Sequence, residues 1–143
     1  MKFSFGQSEH ERIEVDVLNY ERASVGEYWD DNWIVVSLLI QAGAFHGKMK
    51  ASFLTAELVA FADQLRPLYE SLTGIAEFKT TERQLHLKLI GDGKGHISLE
   101  GIVADRPGIG NELSFKLEFD QSQLANSIRE LEKVLTVFPV RKV

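Results

Sequence analysis

Apolar and polar residues alternate with period two along most of the chain, the mark of strands that bury one face. Ile13, Val15 and Val17 alternate with Arg12, Glu14 and Asp16, and Met49, Ala51 and Phe53 with Lys50 and Ser52. Leu85, Leu87 and Leu89 alternate with His86, Lys88 and Ile90, and Ile97 and Leu99 with Ser98 and Glu100. Leu113, Phe115, Leu117 and Phe119 stand against Ser114, Lys116, Glu118 and Asp120 without an error. Shorter strands are expected near Lys2–Phe5 and Ile75–Lys79. The stretch from Trp33 to Ala42 differs, because Ile34, Val36, Leu38 and Ile40 would face one way and Val35 and Leu39 the other. A strand apolar on both sides is expected to be central, with cover on each face.

Twice the period changes to that of a helix, at Phe53-Leu54-Thr55-Ala56-Glu57-Leu58 and at Phe119-Asp120-Gln121-Ser122-Gln123-Leu124. Thr55 is the expected N-cap of the first helix, with Glu57 suiting its positive first turn. Asp120 is the expected N-cap of the second, with Gln123 at the third helical position completing a capping box. Leu58, Ala62, Leu65, Tyr69 and Leu72 form one apolar stripe, and Leu124, Ile128, Leu131, Leu135 and Phe138 the other. Pro67 is expected to kink or loosen the first helix and Gly74 to end it; Pro139 ends the second.

Phe53, Leu58 and Leu65 match Phe119, Leu124 and Leu131 at the same spacings, so the chain reads as two versions of one strand-strand-helix unit. Asp92-Gly93-Lys94-Gly95 is a hairpin turn signal. At Gly101 the alternation slips, which predicts a bulge. The fold class is α+β: a twisted antiparallel sheet of seven or eight strands with two amphipathic helices on one face, residues 1–143 forming one domain.

The formal charge of −5 changes this picture only when it is located. Residues 1–32 carry eight acids (Glu9, Glu11, Glu14, Asp16, Glu21, Glu27, Asp30, Asp31) against Lys2, Arg12 and Arg22, while the rest of the chain is balanced. All of the net charge therefore lies in the first 32 residues. This argues against nucleic-acid and anionic-membrane partners, which call for a basic footprint, and favours a basic one. Cysteine is absent, which removes disulfides and thiolate chemistry and fits a reducing compartment. The first residues lack the apolar core of a signal peptide, and no apolar run is long enough to span a bilayer, so a cytoplasmic location is expected.

Catalytic motifs are missing where their mechanism would need them. The glycines of 91–95 open onto a strand rather than a helix N-terminus, so neither phosphate-loop reading holds. His10, His46, His86 and His96 form no ligand spacing, and no metal or cofactor is expected; His86 should be solvent-facing or paired, and His96 could meet His86 or Lys88 across a hairpin. No serine sits in a nucleophile elbow. The stretch least like scaffold is Glu27-Tyr28-Trp29-Asp30-Asp31-Asn32-Trp33. Aromatic side chains offer large rigid contact area with a polar handle, which makes Glu27, Tyr28, Trp29, Asp30 and Asp31 the candidate partner-binding residues. Trp33, at the start of a strand, is expected to seal a sheet face instead.

Three motifs carry a family resemblance. Tyr28-Trp29-Asp30-Asp31-Asn32-Trp33, Ala44-Phe45-His46-Gly47-Lys48 leading into Ser52-Phe53-Leu54-Thr55, and Gly91–His96 followed by Pro107-Gly108-Ile109-Gly110-Asn111 resemble small bacterial immunity proteins similar to WapI, over roughly Tyr28–Pro139. The resemblance implies a non-enzymatic cytoplasmic protein that binds and blocks a cognate toxin domain, often a nuclease, and assigns no catalytic residue. A basic nuclease would suit the acidic N-terminal segment. The competing reading is a homo-oligomeric or small-ligand-binding α+β domain, with a homodimer covering Val35 and Leu39.

Overall fold

The structure is a computed structural model that describes residues 1–142. Four strands, β1 (Lys2–Ser8), β2 (Glu11–Tyr20), β3 (Trp33–Ala42) and β4 (Phe45–Leu54), form an antiparallel meander in chain order. A single helical turn, α1 (Tyr28–Asp31), lies between β2 and β3, and helix α2 (Thr55–Ser71) follows β4 directly. The pattern then repeats: β5 (Thr73–Phe78), β6 (Leu85–Asp92), β7 (His96–Ala104) and β8 (Glu112–Asp120) form a second meander, and α3 (Gln121–Val137) closes it.

The class is α+β with eight strands, and the two long helices stand where the period changed. The strands divide into two sheets of four rather than one, because α2 intervenes between β4 and β5. The repeated unit is thus four strands and a helix, and both helices have 17 residues. The inner faces of both sheets and the inner stripes of both helices share one apolar cluster. Phe5 marks the meeting point: its ring centroid is 5.7 Å from that of Phe61 on α2 and 6.1 Å from that of Phe119 on β8.

Each helix covers the edge strand of the other unit, α2 against β5 and α3 against β1. Exposed strand edges invite pairing with other chains, so covering them matters. On β1 the Ser4 amide donates to Glu130 Oε1 at 3.1 Å, and the Ser127 hydroxyl donates to the Ser4 carbonyl. On β5 the Glu77 amide donates to Gln64 Oε1 at 2.9 Å. Gln64 and Glu130 are equivalent positions of the two units, 66 apart. So are Arg66 and Glu132, and these pair with each other, Nε to Oε1 at 3.2 Å. Equivalent residues meet in this way only near a two-fold relation between the units.

Local details depart from the expectations in three places. Leu54, not Thr55, is the extended residue before α2; Glu57 Oε1 accepts the Leu54 amide at 2.7 Å, and the buried Thr55 hydroxyl donates elsewhere. Helix α2 runs on through Pro67 to Ser71. It ends on Leu72 in the left-handed region (φ 61°), not at Gly74, because the chain must swing straight into β5. Gly91 permits this turn: a Cβ there would lie 2.4 Å from the Leu72 carbonyl oxygen. Finally, Gly101 is no bulge. It keeps regular register with Leu87 and Phe115, and its missing side chain seats the Phe115 ring, whose Cζ would be 2.2 Å from a Cβ. The Asp120 capping box is formed as expected, Asp120 Oδ1 accepting the Ser122 and Gln123 amides and Gln123 Oε1 accepting the Asp120 amide.

Candidate functional site

The chain between Tyr20 and Trp33 is too long for a tight hairpin, and its backbone polar groups need partners inside the loop. Asp31 supplies two of them. Its carboxylate accepts the Val25 amide at 2.8 Å, the Ser24 hydroxyl at 2.9 Å and the Gly26 amide at 3.0 Å. The Val25 amide above all, with the Ser24 hydroxyl and Gly26 amide, holds the Asp31 carboxyl below the usual carboxylate range. The side chain is buried, so its charge serves the loop and does not face solvent.

Asn32 is the second anchor, 1% exposed. Its amide nitrogen donates to the Tyr28 carbonyl at 2.7 Å and to the Arg141 carbonyl at 2.9 Å. Its oxygen accepts the Thr55 hydroxyl at 2.8 Å and the Arg141 amide at 2.7 Å. One side chain therefore ties α1, the start of α2 and the C-terminal segment together. Arg141 lies 3.5 Å above the Tyr20 ring and donates to the Arg22 carbonyl at 3.1 Å. The Tyr20 hydroxyl donates to the Pro139 carbonyl, and Phe138 packs edge-on against the Tyr20 ring at 5.5 Å. Burial pushes the Tyr20 phenol up, against the opposing pull of Arg141.

On this frame the five candidate residues are brought together but are not alike. Trp29 is 64% exposed, with its ring 5.3 Å from the half-buried Tyr28 ring in an edge-to-face pair. Glu27, in extended conformation just before α1, is exposed, and Asp30 is exposed with its carboxylate 3.7 Å from Arg22. Asp31 faces inward and shapes the loop that presents the other four. Trp33 is half-buried and lines a groove of about 460 Å³ beside Glu21, Ser52, Glu82 and Gln84. Asn32, Tyr20 and Arg141 were not legible as parts of this site: Arg141 lies 109 positions beyond Asn32, and nothing in the spacing joins them.

The other candidate chemistry resolves into scaffold. Gly93 and Gly95 form the β6–β7 turn, where Asp92 Oδ1 accepts the Lys94 and His96 amides, and Gly91 belongs to β6. His86 Nε2 lies 2.9 Å from Glu77 Oε2, and His96 meets Glu118 at 3.4 Å rather than His86 or Lys88. Among the described residues no group of three His, Asp or Glu is placed to hold a metal ion. Among them also, no helix is long and apolar enough to cross a membrane.

Comparison with known proteins gives three findings. In fold the chain is similar to a solved structure of the plant transcriptional regulator PBF-2, with a TM-score of 0.53 over 96% of this chain and 81% of that one. The sequences are 12% identical, so the likeness concerns fold alone. No curated protein matches in sequence. The model of the immunity protein WapI-like family matches residues 4–139, and so takes in the acidic N-terminal strands that the motif resemblance left out. The chain belongs to the WapI-like immunity protein family.

Proposed function

We propose that this protein is a non-enzymatic antidote that acts in the cytoplasm by binding and blocking a basic toxin domain, such as a nuclease. Its partner surface is the loop around α1. The observation that carries the reading is Trp29, an exposed aromatic on a short turn that a buried carboxylate and a buried amide hold rigid. A preorganised aromatic anchor loses little conformational freedom on binding, which is what makes such residues energetic centres of interfaces. The exposed Glu27 and Asp30 flank it in the chain, in a segment that carries all of the net negative charge, which suits the steering of a basic partner. Family membership supports the immunity role; the toxin's identity and the loop's part in binding it are what the experiment decides.

The test is binding of the purified chain to basic toxin domains, beginning with the product of any toxin gene that adjoins its own. Trp29→Ala should weaken affinity at least tenfold by slowing nothing but raising the off-rate. Asp30→Lys should lower the on-rate and flatten its dependence on salt. Lys116→Glu, on the outer face of the second sheet, should leave both unchanged. If Trp29→Ala and Asp30→Lys bind as tightly as the parent chain, the loop is not the interface.

A further inference from the structure

Two strand edges are covered by helices, but β4, at the end of its sheet, has no strand on its outer side among the described residues. Its parity can be worked out from the hairpin. Ala42 pairs with Phe45 across the two-residue turn Gly43-Ala44, so Phe45, Gly47, Met49 and Ala51 direct their backbone groups to β3. His46, Lys48, Lys50 and Ser52 direct theirs outward. The Ser52 amide confirms this parity, since it donates to a side chain from another segment, Gln84 Oε1 at 2.9 Å. Toward His46 the edge borders a trench of about 300 Å³ floored by Ile40, Met49, Val103 and Leu113 and lined also by Asp105, Asn111 and Glu112, where the space between the two sheets opens to solvent.

We propose that this edge takes an extended peptide as an added strand, with an acidic–apolar–acidic pattern. Residues directly opposite in neighbouring strands share a face. Lys48 and Lys50 stand on the outer face, with Leu39 and Ser37 as their β3 partners. Among the described residues neither lysine is within ion-pair distance of a carboxylate, so acids opposite them find free partners. The residue between those acids points inward, toward the trench at Met49, where Asp105 and Glu112 disfavour a further acid and Ile40, Val103 and Leu113 favour an apolar side chain. Backbone bonds to His46, Lys48 and Lys50 supply affinity, and the charges and trench supply selection. A second copy is a poor occupant, because pairing β4 with itself about a two-fold axis sets Lys48 and Lys50 against the same lysines. The inference goes beyond the toxin-binding reading, since it concerns the end of β4 remote from the Trp29 loop and stands whether or not that loop binds a toxin.

The experiment is an amide NMR titration of the full chain with the capped heptapeptide Thr-Glu-Val-Glu-Leu-Glu-Thr. Saturable shifts and slowed exchange are expected at the amides of His46, Lys48 and Lys50. A peptide with Lys for each Glu should bind at least tenfold more weakly, as should the parent peptide to Lys48→Glu/Lys50→Glu. Methylating the peptide's glutamate nitrogens should abolish binding without touching the protein. Lys48→Pro removes only an amide that β3 does not use, so the fold should persist while binding is lost. The proposal is overturned by an absence of shifts at millimolar peptide, by equal binding of the lysine peptide, by shifts confined to other strands, or by a concentration-dependent self-association that occupies the edge.

Discussion

Asn32→Ala should destabilise the protein by about 3 kcal/mol, although residue 32 lies in a surface connection. The figure follows from what the side chain leaves behind. The Thr55 hydroxyl, fully buried, loses its acceptor and becomes an orphan, at a cost of about 1–3 kcal/mol. The Arg141 backbone loses two bonds, of 2.9 and 2.7 Å, each worth about 1 kcal/mol and partly replaced by water once the C-terminal segment loosens. For a chain of 143 residues with an unfolding entropy of about 2.1 cal/mol/K per residue, this lowers Tm by roughly 10 °C. Calorimetry measures the shift, and a double-mutant cycle apportions it. Thr55→Val removes the orphan, so Asn32→Ala/Thr55→Val should cost about 1–2 kcal/mol less than the two changes added. Asn32→Asp should be worse than Ala, because a carboxylate cannot donate to the Tyr28 and Arg141 carbonyls and buries a charge beside them. A Tm loss under about 3 °C for Asn32→Ala, or strictly additive costs in the cycle, would refute the account of Asn32 as the joint between loop, helix and tail.

Gly101→Ala should cost about 1–3 kcal/mol, since the new Cβ displaces the Phe115 ring, and Phe115→Leu should recover part of it in the double variant by thermal denaturation. Arg66→Glu should cost about 1 kcal/mol or less, since Arg66 meets both Asp63 and Glu132 and all three are largely exposed, and the swap Arg66→Glu/Glu132→Arg should restore only the part owed to Glu132, leaving Asp63 without its partner. Acid should destabilise the fold with a definite sign. Asp31 is held low by the Val25 amide, Asp92 by the Lys94 amide, Asp105 by the Asn111 amide and Asp120 by the Ser122 hydroxyl. Folded-state values below the unfolded ones contribute stability above about pH 4 that is lost as pH falls through the folded values. Melts at stepped pH should therefore show a plateau above about pH 5 and a decline below about pH 4, and Asp31→Asn should shallow that decline.

The strands and helices were legible because burial of one face imposes a period, and the period survives in the sequence without knowledge of any partner. Phe53–Leu58 and Phe119–Leu124 showed both the elements and their repetition for that reason. Gly101 misled because a missing inward side chain looks the same whether the backbone bulges or a neighbouring ring fills the gap; only the position of Phe115 distinguishes them. The loop at 27–31 stood out by composition, yet its five residues could not be sorted by sequence. Trp29 and Asp31 are two positions apart, and one ends exposed while the other closes a ring of backbone amides.

Period and capping, both local, thus determined the class, a count of seven or eight strands and the two long helices of this chain. Tertiary structure decided how the strands divide, because alternation says which side of a strand is buried but not which strand lies beside it. It also decided that each helix covers the other unit's edge, that β4 is left free, and that Asn32 binds a segment 109 residues away. Those outcomes depend on contacts between distant parts of the chain, which impose no repeat along it.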